Sequence, residues 1–343
     1  MINIKEMLSS LSSLMSVSGF ERYDKDRLLS LISPYFDAYR EDAVGNFIFI
    51  KKANNEDAPL MLIDTHYDEI GMLVTDIKDN GFLSVTNVGG LDTRIMPAAE
   101  VTIYGKEMLF GVVDSTPPHL KDPKASKKLP KVSELLIDTG YTKETLSKIV
   151  SIGTPVSFYP RISELEGGYL VGKGLDNKAC VAAAVSAIAP LNADSLRYNI
   201  CLNLSTREEI GLVGGKVGAY HIDPDYAIVL DVNLAAAPDA PKHRTVKPGA
   251  GPSVSLSAVT DRALTHHIID RAKRAEIPYQ TVVETVSTGT NADVIALSRC
   301  GVPTAVVSVP LKGMHTYTEA VSLDDIEKTA RLLREILTSE VPK

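Results

Sequence analysis

The sequence predicts an α/β protein: a mostly parallel sheet with helices on both faces, interrupted by a small β-rich insert. Three observations carry this. Strand-like apolar runs alternate with helical spacings at both ends of the chain, the pattern of a parallel sheet covered by helices. Between residues 71 and 163 the texture changes to short alternating runs punctuated by Gly, Pro and Asp. Outside that insert, the strand-like runs end on histidines and carboxylates, at the edge where α/β sheets bind ligands. Residues 1–70 and 164–343 therefore form the main domain, and 71–163 a second one inserted into it.

Taken in order, Ile4, Met7, Leu8, Leu11 and Leu14 have helical spacing and predict a helix over 4–16, ended by Ser18-Gly19. A second helix, over about 23–33, stops before Pro34. Residues 46–50 are strand-like. Residues 59–64 form another apolar strand, which delivers Thr65-His66-Tyr67-Asp68-Glu69. The insert holds short runs at 82–88, 100–104 and 109–113, then Pro117-Pro118 and a lysine-rich loop at 121–131, with a short helix near 142–149. After Gly167-Gly168, Tyr169-Leu170-Val171 leads to Gly174-Leu175-Asp176-Asn177 and an alanine-rich helix over 178–188. The run 200–204 is a buried strand that ends in Ser205-Thr206-Arg207-Glu208-Glu209-Ile210-Gly211. The run 226–230 ends at Asp231. Helices over 261–276 and 290–299 follow, then a strand over 302–309 leading to Pro310 and His315. The closing helix, 322–338, takes Ser322 as N-cap with Asp325 at the capping-box position.

Composition narrows the class. The 44% hydrophobic and 23% charged fractions are those of a soluble globular protein. A net charge of −7 argues against nucleic-acid binding as a general function. No apolar run approaches the ~20 residues of a membrane span, and the first residues lack the basic region and long apolar stretch of a signal peptide. Cys180, Cys201 and Cys300 are odd in number and set in apolar runs, which predicts reduced, buried thiols in a cytoplasmic protein.

His66 with Asp68, Asp176, Glu208 with Glu209, Asp231 and His315 all stand at strand ends or in the loops after them. Each has an ordinary reading alone. The Glu-Glu pair fits a solvated acidic turn, His66 a capped turn, Asp176 a helix N-cap, Asp231 a turn and His315 a surface loop. Strand ends on one edge converge, however, and two imidazoles with several carboxylates suit divalent zinc, cobalt or manganese. The set is large enough for two ions, with a shared carboxylate at the ~3.5–4 Å spacing of two-metal sites. No cysteine joins it, which disfavours a structural zinc knot.

Thr65 to Gly71, Gly172-Lys173-Gly174-Leu175-Asp176-Asn177-Lys178, Ser205 to Gly211, Leu230-Asp231-Val232 and Pro310 to His315 resemble, in order, the signatures of the M42 metallo-aminopeptidases. The resemblance covers essentially the whole chain, including Gly111 to Leu120 of the insert. It implies the di-metal exopeptidase fold with a barrel-like insert. His66 and Asp231 would hold one ion, Glu209 and His315 the other, with Asp176 bridging. Asp68 would bond the far nitrogen of His66, Glu208 would be the general base, and the Asp176–Asn177 peptide would be cis. Family members form hollow tetrahedral dodecamers of dimers, so a homo-oligomer with the insert at its contacts is implied. Two stretches depart from the family pattern, Gly289-Thr290-Asn291-Ala292 and Lys312-Gly313-Met314. Both are on the substrate side, so Thr288, Gly289 and Lys312 become candidates for contact with the first side chain, Lys312 favouring an acidic one.

The reaction implied is hydrolysis of an N-terminal peptide bond by metal-activated water. A di-metal deacylase acting on small N-acyl compounds uses the same groups. Glycoside hydrolysis, a label carried by some relatives, needs paired carboxylates but no histidines, and this chain has no Trp and 6% aromatics for sugar stacking. A non-catalytic shell is disfavoured by the intact base and ligand set.

Overall fold

The computed structural model describes residues 2–114, 129–238 and 240–340. His119, Pro117-Pro118 and most of the lysine-rich loop lie outside the described residues.

The chain opens with α1 (Ile4–Ser12) and α2 (Lys25–Ile32), then β1 (Ala38–Glu41), β2 (Phe47–Lys51) and β3 (Leu60–His66). α1 is amphipathic and capped as its sequence suggests, Asn3 Oδ1 accepting from the Glu6 amide. It stops at Ser12, short of the apolar spacing, because the chain turns so that Leu14 and Met15 are buried from a loop.

The chain then leaves the main domain. β4 (Gly71–Ile77), β5 (Leu83–Val88), β6 (Glu100–Tyr104), β7 (Met108–Val113), β8 (Leu136–Asp138), α3 (Lys143–Ile149) and β9 (Pro155–Phe158) make a closed antiparallel barrel in the order β4-β5-β8-β7-β6-β9. Its core is its own: Met72, Val74, Val85, Val101, Ile103 and Ile137 pack inside, with Leu146 of α3 beside them. Closure removes the sheet edges that short strands would otherwise expose. The barrel sits tightly on the main domain at Gly71, where a Cβ would lie 2.7 Å from Val17 Cγ2 and 2.9 Å from the Val156 carbonyl.

The return to the main domain runs β10 (Ile162–Leu165), β11 (Tyr169–Gly172), α4 (Leu175–Ile188), β12 (Asn199–Ser205), α5 (Val213–Ile222), β13 (Tyr226–Leu234), β14 (Ser253–Ser257), α6 (Arg262–Arg274), β15 (Gln280–Glu284), α7 (Ala292–Ile295), β16 (Thr304–Lys312), β17 (Glu319–Ser322) and α8 (Leu323–Leu337). The main sheet has the order β1-β2-β12-β3-β13-β16-β17-β11-β10, with β14 and β15 branching from β16. Its centre, β12-β3-β13-β16, is parallel, and the flanking strands are antiparallel. Both faces are covered, as near-continuous apolar strands require. Met61, Ile63, Leu202 and Leu230 face the layer of α1, α4, α6 and α8; Leu62, Cys201, Val229 and Val306 face α5 and α7. α4 is buried on nearly every side, which is why its sequence is alanine-rich rather than amphipathic.

Three expectations are corrected. Ser322 stands at the N-cap of α8 but makes no side-chain cap bond, and Asp325 instead accepts from the Gly249 and Gly251 amides at 2.6 and 2.8 Å. Cys180 and Cys201 are buried, but Cys300 is exposed. The helix expected over 290–299 is only Ala292–Ile295, since the chain turns out toward Gly301, and Cys300 lies in that turn. No described helix is long and apolar enough to cross a membrane.

Candidate metal centre

The four parallel strands bring their C-terminal ends to one edge. Register then places the side chains. Ser205 pairs with His66 and Val229 with Asp64. Asp231, two positions beyond Val229, is therefore level with His66 and on the same face. The start of α4, where Asp176 and Asn177 depart from helical geometry, brings Asp176, the turn after β12 brings Glu208 and Glu209, and the turn after β16 brings His315.

His66 Nε2 lies 3.1 Å from Asp176 Oδ1 and 3.7 Å from Asp231 Oδ1. His315 Nε2 lies 3.6 Å from Asp176 Oδ2 and 3.4 Å from Glu209 Oε2. Asp176 thus offers one oxygen to each imidazole, and two donor groups share it: His66, Asp176, Asp231 and Asp176, Glu209, His315. Donors on a tetrahedral ion with ~2.0–2.1 Å bonds stand ~3.3 Å apart, close to these separations. Nitrogen and carboxylate oxygen without sulfur fit zinc, cobalt or manganese.

The electrostatics point the same way. Burial pushes Glu208 up to about 7 and Glu209 up to about 10, and the crowding of Asp68 and Asp176 adds to both. Burial also holds Asp231 well above its ordinary value, with Glu208 and Asp176 adding. Burial pulls His66 down, but Glu208, Asp176, Asp68 and Asp231 together raise it well above an ordinary histidine. Anions this crowded and dry are stable only with protons or a cation among them.

The turn carrying the two glutamates is held amide by amide. The Thr206 amide donates to Asn46 Oδ1 at 3.0 Å and the Arg207 amide to Glu21 Oε1 at 3.0 Å. The Glu208 amide donates to Asp68 Oδ1 at 3.0 Å and the Glu209 amide to Asp68 Oδ2 at 3.2 Å. Asp68 Oδ2 also accepts from the Ser18 hydroxyl. His66 Nδ1 meets the Asp68 backbone carbonyl at 3.0 Å, with the carboxylate at 3.6 Å. The carbonyl is therefore the nearer partner of the ring, and the Asp68 carboxylate braces the Glu-Glu turn. Beneath His66, Asp64 accepts from Asn203, Asn291 and Ser205 at 2.7–3.1 Å. Burial still carries Asp64 up to about 6.

The Asp176–Asn177 peptide is cis. Asn177 Nδ2 donates to Thr65 Oγ1 at 3.1 Å and to the Leu230 carbonyl at 2.9 Å, pinning the loop to β3 and β13. On the other side Glu69 grips Lys173 Nζ at 2.6 Å and Lys178 Nζ at 2.7 Å and accepts from Ser157 of the barrel at 2.9 Å. Gly174 between the lysines is at φ 62°, and a Cβ there would lie 2.3 Å from Glu69 Oε2.

Above the donors opens a cavity of about 830 Å³ whose far wall includes Val282, Glu284, Thr288 and Gly289. Thr288 and Gly289 thus line the same cavity as the donors. Lys312 does not reach this wall: its Nζ sits 5.1 Å from the Tyr169 ring centroid, and the cation lining the cavity is Arg244. Glu21, Asn46, Asp64 and Glu69 escaped the sequence reading. Their partners lie up to 227 positions away, and no periodicity marks them.

A parallel sheet centre bearing a nitrogen-and-carboxylate donor cluster at its strand ends, with a barrel inserted, defines a metallopeptidase class. Residues 45–332 match the model of the M42 glutamyl aminopeptidase family, and the chain belongs to it. It is a metallo-aminopeptidase, a hydrolase of peptide bonds. A lysyl aminopeptidase of Pyrococcus furiosus is 29% identical, the match covering 98% of this chain and 97% of the relative. A TET aminopeptidase from a marine sediment archaeon of the Thaumarchaeota superposes with TM-score 0.91 at 28% identity, covering 98% and 96% of the two chains. The TET1 peptidase of Pyrococcus horikoshii, which assembles into a tetrahedron or a large octahedral shell, matches at TM-score 0.85 and 30% identity over 98% and 99%.

Proposed function

We propose that this aminopeptidase works with two divalent ions, one held by His66 and Asp231 and one by Glu209 and His315, with Asp176 spanning both. The observation that carries the reading is the pair of Asp176 oxygens, each facing one imidazole. When bound, the ions supply Lewis acidity toward a water and the scissile carbonyl. Glu208 takes a proton from the attacking water on its carboxylate and passes it to the leaving amine nitrogen. Asp68 keeps the Glu208 carboxylate aimed by holding its backbone amide. Thr288 and Gly289, on the cavity wall, bound the space for the substrate's first residue. Metal-free protein reloaded with zinc or cobalt should approach two ions per chain by elemental analysis. A maximum of one at saturating metal would sink the bridging role of Asp176.

The barrel, on the same reading, serves assembly. It supplies none of the donors and carries exposed apolar side chains: Met108 and Phe110 alternate outward on β7 at 67% and 51% exposure. Phe110 also packs edge-on against Tyr159 at 5.6 Å. An exposed apolar cluster of this kind marks an interface. Met108→Lys with Phe110→Glu should yield smaller species by light scattering with the fold intact. An unchanged large assembly would place the contacts elsewhere.

A further inference from the structure

Glu319 opens β17 and is 1% exposed. Its two oxygens reach two different loops. Oε2 accepts the Asp176 amide at 3.1 Å, and Oε1 accepts the His315 amide at 3.0 Å. Asp176 and His315 are the residues whose side chains face each other at 3.6 Å. We infer that Glu319 is a positioning residue: its carboxylate ties the Asp176 loop to the His315 turn and so sets the geometry of the second ion's donors. The inference rests on the donor assignment proposed above.

The two loops are not equally braced. The Asp176 loop has further anchors in Asn177, Lys173 and Lys178. The His315 turn has few. His315 itself is at φ 62°, a left-handed conformation that side-chain-bearing residues rarely adopt. Besides Glu319, the turn is braced by Thr316 Oγ1, which donates to the Gly313 carbonyl at 2.6 Å and accepts from the Thr318 amide at 3.2 Å. His315 therefore depends on Glu319 more than Asp176 does, and the second ion more than the first. The arrangement also needs two acceptors on one side chain. A glutamine offers one oxygen and one NH₂, so one backbone N–H would face another donor.

The test is zinc titration by calorimetry into metal-free wild type, Glu319→Gln and His315→Ala. In Glu319→Gln the second ion should bind about 10–100-fold more weakly, the usual cost of losing a partner behind a metal ligand, while the first keeps its affinity. Losing a negative charge alone would weaken both ions. Equal loss at both therefore overturns positioning, as does no loss at either. If His315→Ala keeps the second ion as tight as wild type, the donor assignment falls and the inference falls with it. Should Glu319→Gln fail to fold, hydrogen exchange in metal-free wild type decides. The Asp176 and His315 amides should both exchange slowly, and a His315 amide exchanging at the unprotected rate overturns the proposal.

Discussion

Glu208→Gln is expected to abolish most turnover while leaving both ions in place, with kcat falling about 10²–10⁴-fold, the usual contribution of general-base action. The substitution keeps the size of the side chain and the backbone amide that Asp68 holds. It removes the proton-accepting carboxylate but no ligand, so KM should change little, metal affinity should fall only slightly and equally at both ions through the lost charge, and saturating metal should not restore the rate. Its neighbour should fail differently. Glu209 Oε2 lies 3.4 Å from His315 Nε2 within the second donor group, so Glu209→Gln takes a charge from that group. Its metal affinity should drop, and excess metal should recover part of the activity. Metal content and kcat measured on both variants across a metal titration separate the roles. Loss of metal from Glu208→Gln with retention by Glu209→Gln would mean that the two are reversed.

The first layer of this site was legible because strand ends announce themselves. A long apolar run closing on a histidine or acid needs no partner to be noticed, and parallel pairing brings such ends together. His66 and Asp231 are level because Val229 pairs with Asp64, a register that the apolar pattern enforces. What lay behind that layer was not legible. Glu21, Asn46 and Glu319 are single polar residues whose partners are backbone amides, and an amide leaves no mark in a sequence. The Asp68 carboxylate was expected at the His66 ring, yet the chain reverses so closely that Asp68's carbonyl reaches the ring first. Lys312 misled for a related reason. Three residues separate it from His315, but Gly313 and His315 both take positive φ. The turn swings the histidine toward the donors and leaves the lysine over Tyr169.

Glu69→Ala should be strongly destabilising. Glu69, Lys173 and Lys178 are each 2% exposed or less, so removing the carboxylate strands two ammonium groups in a dry interior. Breaking a buried ion pair in this way costs about 3–5 kcal/mol, a large part of the 5–15 kcal/mol that typically holds a domain folded. Burial alone would push Glu69 up, but Lys173 and Lys178 override it and bring it down to about 2. The carboxylate has two cations to itself, whereas each lysine shares one anion and faces the other lysine. Burial therefore still dominates Lys173, which falls to about 8. The folded-state value of Glu69 lies below its unfolded one, so its contribution is complete above the ordinary carboxylate range and is lost as pH falls toward 2. Urea midpoints of wild type and Glu69→Ala should accordingly differ most near neutrality and converge in acid; a constant gap would mean that the loss is one of packing and not of charge. Replacing all three residues by methionine should recover much of the stability, since apolar side chains of similar volume often match or exceed a buried ion cluster. Metal affinity should not recover with it. Lys173 and Lys178 flank Asp176, and a methionine cluster exerts no directed pull on that loop. If the triple variant binds both ions as tightly as wild type, the cluster only stabilises the fold, and the placement of Asp176 is due to Asn177 and Glu319 alone.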